Sequence, residues 1–386
     1  MPQAVRRVVV AHPSPDLYGS DRQLLETISG LTDDGWQVAA YVPSDGPLVS
    51  LLRERGATAR VAPFPVLSKA VLAPGRLLGF GWRNLVTLVR LAGLLRRARP
   101  DLLWVNTITV PVWLVAARIA GVPVVCHVHE AEEDQPGLVR RGLAAPLLLA
   151  HAVVANSAAA RRSLVDVLPR LGGRVQVVHN GVPLPPEPPT APRDRSPGDP
   201  LRLALVGRLS PRKGTDVALE ALAAVRLAGV DASVALCGTT FPGYEWFERE
   251  LRERADAPDL AGHVTFAGYV HPTWPALADA DVVLVPSRAE PFGNTAVEAM
   301  HARRPVVVSG VQGLAEIIDD EGHGVRVRPG DADALATAVL DLARDPQGAR
   351  RLADAGQRVA AERFAPAGYR RAIATVAAAV IAPGAA

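Results

Sequence analysis

The sequence predicts the α/β class: two doubly wound, parallel-sheet domains in tandem. Three observations carry that expectation. Short apolar runs rich in Val, Ile and Leu alternate with helical spacings along the whole chain, the pattern of βαβ units. In each half a glycine-containing loop links the first such run to the first helix. Residues 183–200 carry eight prolines and little that is apolar, an extended and stiff linker. The 386 residues are thereby divided into two stretches, each long enough to bury its own core.

In the first half, residues 5–11 form a strand and residues 12–20 a loop. Leu24, Leu25, Ile28 and Leu31 then recur at helical spacing, Gly35 closes the helix, and residues 36–42 form the second strand. This is one right-handed βαβ unit, and Gly19 lets the backbone approach a phosphate or a sugar in front of the helix start. Further strands fall at residues 102–106, 122–128, 151–155 and 175–179. The run 122–128 leads into Cys126-His127-Val128-His129-Glu130. Strand alternation puts His127 and His129 on one face, a pair that suits a metal ion, although no third ligand lies nearby in sequence. His129 also stands at the carboxyl end of a parallel strand, where α/β folds place ligand-binding side chains.

The second half opens with a strand at residues 201–206 and the loop from Gly207 to Gly214, which brings Arg208, Arg212 and Lys213 in front of a helix at 216–228. Cations beside the amides of a helix start call for an anion, and a diphosphate clamp or an exposed basic turn would each look like this. Strands at 234–238 and 264–266 precede Gly268-Tyr269-Val270, and a helix at 274–280 leads to the buried strand 281–286. After it comes Glu290-Pro291-Phe292-Gly293-Asn294-Thr295-Ala296-Val297-Glu298. The strand, the tight loop and the helix start would point the amides of Gly293, Asn294 and Thr295 at an anion. Glu290 and Glu298 flank that position and are suited to accept hydrogen bonds from hydroxyls rather than to touch a phosphate. A strand at 305–309, a glycine turn at Gln312-Gly313-Leu314-Ala315-Glu316, an edge strand at 324–327 and helices at 332–344 and 348–363 follow. Phe364-Ala365-Pro366 then opens a last helix.

The Glu290–Glu298 segment resembles the donor-site signature of the retaining, GT-B-fold glycosyltransferases of family 4, which include the bacterial phosphatidylinositol mannosyltransferases and sucrose synthase. His129, Asn180-Gly181 and the pair Arg208 and Lys213 match further positions of that family, in order, so the resemblance covers nearly the whole chain. It implies two Rossmann-like domains facing across a central cleft. The acceptor domain would span residues 1–182 and the nucleotide-sugar domain residues 201–365. Residues 366–386 would supply a helix crossing back to the first domain, plus a tail. The implied reaction moves a sugar from a nucleoside diphosphate sugar to a hydroxyl with retention of configuration. In it, Arg208 and Lys213 hold the diphosphate, Glu290 the sugar, Glu298 the ribose, and His129 lies under the donor sugar. Gly19, Tyr269, Val270, Phe292, Gly293, Asn294 and Thr295 complete the donor contacts. No metal or other cofactor is expected. A nucleotide-sugar 2-epimerase of the same fold class, or a non-catalytic nucleotide-sugar-binding subunit, are the alternatives.

Composition limits the rest. Two cysteines without metal spacing, Cys126 and Cys237, suit a reducing cytoplasm. No signal peptide or membrane span is expected, and no nucleic-acid partner. Only Lys69 and Lys213 are lysines among 42 basic residues, which hints that a lysine marks a place the arginine fork does not fill. Between residues 55 and 100 nine basic residues meet no acidic one, with Phe80 and Trp82 beside Arg76 and Arg83. That stretch reads either as a packed helix with solvated arginines or as a face resting on anionic lipid. The second reading goes with a lipid-linked or cell-envelope acceptor and a peripheral position at the inner face of the plasma membrane.

Overall fold

The computed structural model describes residues 5–67, 77–131, 135–196, 199–320 and 322–382, with the side chains of 77–84 left aside. By contacts the chain divides into two units, residues 1–181 with 366–386 and residues 182–365. Each unit is built on one parallel sheet.

The first sheet has seven strands: β1 (Arg7–Ala11), β2 (Gln37–Val42), β3 (Thr58–Val61), β4 (Leu102–Val105), β5 (Val124–Val128), β6 (Ala152–Ala155) and β7 (Val175–Val177). Their order is β3-β2-β1-β4-β5-β6-β7, all parallel. Helices α1 (Gly19–Asp33), α2 (Pro47–Glu54), α3 (Leu77–Ala98), α4 (Pro111–Ala120), α5 (Gly137–Ala144) and α6 (Ala158–Val167) supply crossovers. β4 to β6 are buried residue by residue, which is why they read as unbroken apolar runs. The strand β3 and helix α2 were not expected from the sequence. β3 is a four-residue edge strand with exposed Thr58, Arg60 and Val61, too polar and too short to announce itself.

The second sheet has six parallel strands: β8 (Leu201–Val206), β9 (Ala232–Cys237), β10 (Val264–Gly268), β11 (Val282–Val285), β12 (Val306–Ser309) and β13 (Val325–Val327). They are ordered β10-β9-β8-β11-β12-β13. Its helices are α7 (Thr215–Leu227), α8 (Glu245–Ala255), α9 (Trp274–Asp279), α10 (Asn294–His301), α11 (Gln312–Ile317), α12 (Ala332–Arg344) and α13 (Pro346–Arg363). The segment read as a glycine turn at 312–316 is thus the short helix α11, entered through Gln312 at φ 41°. The proline-rich segment has no regular structure in its described part. It is fastened to the second unit: Arg193 forks onto Asp281 at 2.8 and 2.8 Å, and Arg304 donates to the Thr190 carbonyl at 2.8 Å. Both cysteines are buried and free.

Helix α14 (Pro366–Ile381) belongs to the first unit and lies against α1. Its buried residues Tyr369, Ile373, Val376 and Ala377 recur at helical spacing and join the core under β1, β2 and α1. The approach is close: a Cβ on Gly30 would lie 2.9 Å from the Arg370 Cα. Tyr369 and Thr27 share a 2.5 Å hydrogen bond, and the buried Glu26 takes both Arg370 and Arg55.

His127 sits in the middle of this core. Its ring is fully buried, edge-on to Trp104 and near-parallel to Tyr369, and neither ring nitrogen has a partner. Burial, and then the neighbouring His129, push its pKa well below the ordinary histidine value. The folded state therefore binds fewer protons than the unfolded chain below about pH 6.5, and stability falls as pH drops through that range. One such group contributes a slope of up to about 1.4 kcal/mol per pH unit. His127→Phe keeps the ring stacking and removes the proton, so its melting temperature should fall less between pH 7 and pH 5 than that of the parent. Equal slopes would show that His127 carries none of the acid sensitivity.

Candidate functional site

Each sheet reverses its strand order once, and the carboxyl ends of the two strands at that point carry the polar clusters of its unit. In the second unit the strands are β8 and β11. The loop after β8 holds Arg208 and a tight 3₁₀ turn over Pro211–Lys213, closed by Gly214 at φ 68°. Only glycine fits there, since a Cβ would stand 2.0 Å from the Pro286 carbonyl oxygen. Arg288 stitches the two loops together, forking onto Asp216 at 2.8 and 2.6 Å and donating to the Pro211 carbonyl at 2.7 Å.

That contact places the Lys213 ammonium on the Glu290 carboxylate, both largely buried. Ser287 donates to the same carboxylate at 3.4 Å, and the Glu290 amide donates to Gln312 Oε1 at 2.8 Å. Burial pushes the Glu290 pKa up, but the charges of Lys213 and Arg212 and the two hydrogen bonds outweigh it, and the net shift is downward. Glu290 is thus an ionised acceptor with Lys213 already on it. Arg208 sits over Phe241, its guanidinium carbon 3.9 Å from the ring centroid.

Helix α10 starts at Asn294 with Gly293 as its N-cap at φ 122°, where a Cβ would come within 2.5 Å of Leu314. Thr295 Oγ1 donates to the Val206 carbonyl at 3.3 Å, fixing the helix start over the end of β8. Glu298 lies one turn into the helix and accepts from Thr273 at 3.2 Å. Tyr269 and Val270 follow β10 at the edge of the sheet, Tyr269 more than half exposed. The Phe292 side chain is buried, edge-on to Phe364 at 5.7 Å, and packs in the core.

His129 and Gly19 belong to the first unit, Gly19 after β1 and His129 after β5, the strand next to the β1/β4 reversal. Gly19 is the first residue of α1, after Tyr18 at the N-cap. His129 follows β5, its Nε2 3.1 Å from Asn106 Oδ1. Behind Asn106 stand His12 and Asp21, all three buried. Burial, and then His12, hold the His129 pKa down to about 3. The rings of His127 and His129 lie 4.0 Å apart, and among the described residues no three His, Cys, Asp or Glu side chains are grouped as metal ligands.

His12, Asp21, Asn106, Ser287, Thr273 and Gln312 do not stand out in the sequence. The available signal is positional: His12 and Asn106 are the first polar residues after apolar strands, as His129 nearly is. The residues of the expected lipid face fare differently. Lys69 and Arg76 lie outside the described residues, as do the side chains of Phe80, Trp82 and Arg83. Further along α3, Leu91 and Leu95 are buried while Leu85, Val86 and Val89 are more than half exposed. Among the described residues no helix is long and apolar enough to cross a membrane.

Residues 18–184 match the family described as Glycosyltransferase Family 4, and residues 200–345 the family described as Glycosyl transferases group 1. A glycogen synthase of Mycobacterium tuberculosis is 29% identical over 282 residues, 68% of this chain and 64% of that protein. A GDP-mannose-dependent alpha-(1-6)-phosphatidylinositol dimannoside mannosyltransferase of the same species is 36% identical over 158 residues, 39% of this chain and 38% of the other. The chain thus spans less than two thirds of these curated relatives. The structure of Anabaena HepE in complex with UDP and glucose superposes with a TM-score of 0.78 at 22% identity, covering 96% of this chain and 98% of that one. The two matched families, taken with the two parallel-sheet units and the shared fold, place the chain among the family 4, group 1 glycosyltransferases of GT-B fold.

Proposed function

We propose that the protein is a retaining, metal-independent glycosyltransferase that moves a sugar from a nucleoside diphosphate sugar to a hydroxyl acceptor. The observation that carries this reading is the Lys213–Glu290 pair at the β8/β11 reversal, next to the start of α10. The costly event is rupture of the anomeric C–O bond, which leaves negative charge on the diphosphate. Lys213, Arg208 and the first-turn amides of α10 are preorganised to receive that charge, with no ion needed to neutralise it. Glu290, ionised and anchored by Lys213 and Gln312, holds sugar hydroxyls and faces the carbon as it becomes cationic. Glu298, held by Thr273, accepts from the ribose. The acceptor oxygen attacks from the side of the leaving group, and its proton passes to the departing diphosphate oxygen. HepE is seen in complex with UDP and glucose, and the mannosyltransferase relative is GDP-mannose-dependent. UDP- and GDP-sugars are therefore the donors to try first, in a thermal-shift panel.

Lys213→Ala should lower turnover by roughly 2–4 kcal/mol of transition-state stabilisation, the size of other charge-stabilising donors. Lys213→Arg should also lose activity, because a planar fork does not replace a compact ammonium on Glu290. Steady-state kinetics unchanged in Lys213→Ala would remove the role. Turnover should survive EDTA; loss that magnesium or manganese restores would end the metal-independent mechanism.

The acceptor we infer is lipid-linked, with the first unit working at an anionic surface. The exposed Leu85, Val86 and Val89 lie on the helix that carries Arg90, Arg96 and Arg97, so apolar and basic groups share one element. Each cation that reaches the surface adds about 1 kcal/mol, and salt near 1 M shortens the reach of that attraction to about 3 Å. Vesicles containing anionic lipid should co-sediment the protein at low salt and release it at high salt. Equal recovery with neutral and anionic vesicles would favour a soluble acceptor.

A further inference from the structure

Four polar residues from four separate parts of the first unit form one hydrogen-bonded row. Asp21 Oδ1 lies 2.7 Å from His12 Nε2, His12 Nδ1 3.0 Å from Asn106 Nδ2, and Asn106 Oδ1 3.1 Å from His129 Nε2. His12, Asp21 and Asn106 are each at most 2% exposed. The parallel register brings them together: Ala11 pairs with Val105, so the residues that follow, His12 and Asn106, emerge side by side. Asp21 arrives from the first turn of α1, where its other oxygen accepts the Tyr18 amide at 2.7 Å.

The direction of the row follows from what each group can do. A carboxylate only accepts, so the His12 Nε2 hydrogen points at Asp21. In the neutral ring His12 Nδ1 is then a lone pair, and the Asn106 NH₂ faces it at 3.0 Å. The Asn106 oxygen is left facing His129, whose Nε2 must carry a hydrogen. His129 Nδ1 keeps its lone pair, and that nitrogen has no partner and is shielded from water. An orphaned buried acceptor is uncommon unless something satisfies it. The amide in the middle transmits polarity and carries no proton, so the row sets a tautomer and does not conduct.

We propose that Asp21, His12 and Asn106 are positioning residues that fix His129 as the Nε2–H tautomer, and that Nδ1 is thereby reserved for the hydroxyl of a sugar ligand. The second half rests on the glycosyltransferase reading; the first does not. A bare nitrogen lone pair attracts an O–H and repels a phosphate oxygen, so the row selects the neutral polyol part of a nucleotide sugar. The row is also reversible. In Asp21→Asn the side-chain oxygen stays with the Tyr18 amide, and the new NH₂ faces His12 Nε2. His12 then carries its hydrogen on Nδ1, Asn106 turns over, and His129 becomes the Nδ1–H tautomer.

The test is nitrogen NMR on protein labelled with ¹⁵N at histidine. Without ligand, His129 should show Nε2–H in the parent and Nδ1–H in Asp21→Asn. With UDP-glucose and GDP-mannose as probes, the Nδ1 resonance of the parent should move with at least one, and should not move with UDP or GDP alone. Turnover of whichever probe is used as donor should fall about tenfold or more in Asp21→Asn, the effect of one hydrogen bond reversed from acceptor to donor. An Nδ1–H or doubly protonated His129 in the ligand-free parent overturns the proposal, and it needs no variant to be measured. An unchanged His129 tautomer in Asp21→Asn overturns the row as its cause. Ligand-free spectra as stated with no response to either sugar nucleotide and no turnover would overturn the sugar assignment and the glycosyltransferase reading, leaving the tautomer row intact.

Discussion

A doubly wound parallel sheet opens a ligand crevice where its strand order reverses, and each unit is arranged around its own reversal. Where strand order reverses, the loops from adjacent strands leave towards opposite faces and a crevice opens between them. β1 and β4 make that reversal in one sheet and β8 and β11 in the other. His12 and Asn106, with His129 reaching them from the end of the neighbouring β5, stand at the first, and the Lys213–Glu290 pair stands at the second. Away from these points, exposed ion pairs such as that of Arg202 on β8 with Asp279 on α9 contribute little.

The two clusters handle buried polarity in different ways. Around Glu290 a charge is kept by bringing a cation and the Ser287 hydroxyl to it, so the protein's own groups polarise the site. Around His129 burial favours the neutral ring, and what remains is a hydrogen-bond pattern. The first arrangement suits a group whose charge grows during a reaction, and the second a group that has only to be recognised.

Much of this was legible in the sequence because strand-end loops in α/β folds obey local rules. The Pro-Phe-Gly turn before α10, the cations before α7 and the proline-rich divide each leave a local signature, and the elements around them fall within a few residues of their expected bounds. Partnerships across the sheet were not legible. Nothing in the sequence says that residue 12 will meet residue 106, because that depends on β1 pairing with β4 and not with β3. The Phe292 side chain shows the same limit: a motif names the residue, but only the packing of Phe364 and α11 shows that its ring turns inward. Short polar edges, β3 above all, escape because their residues carry no periodicity.

The seating of α14 also dictates an order of assembly. The first unit needs residues 366–386, yet the whole of the second unit, residues 182–365, is made before them. On a ribosome adding about 5–20 residues per second, that interval lasts on the order of 10–40 s. Throughout it the groove of α1 around Thr27 and Gly30 lacks Tyr369 and Arg370, and Glu26 lacks one of its two arginines. The nascent chain therefore completes its later domain first and carries an unfinished earlier one behind it.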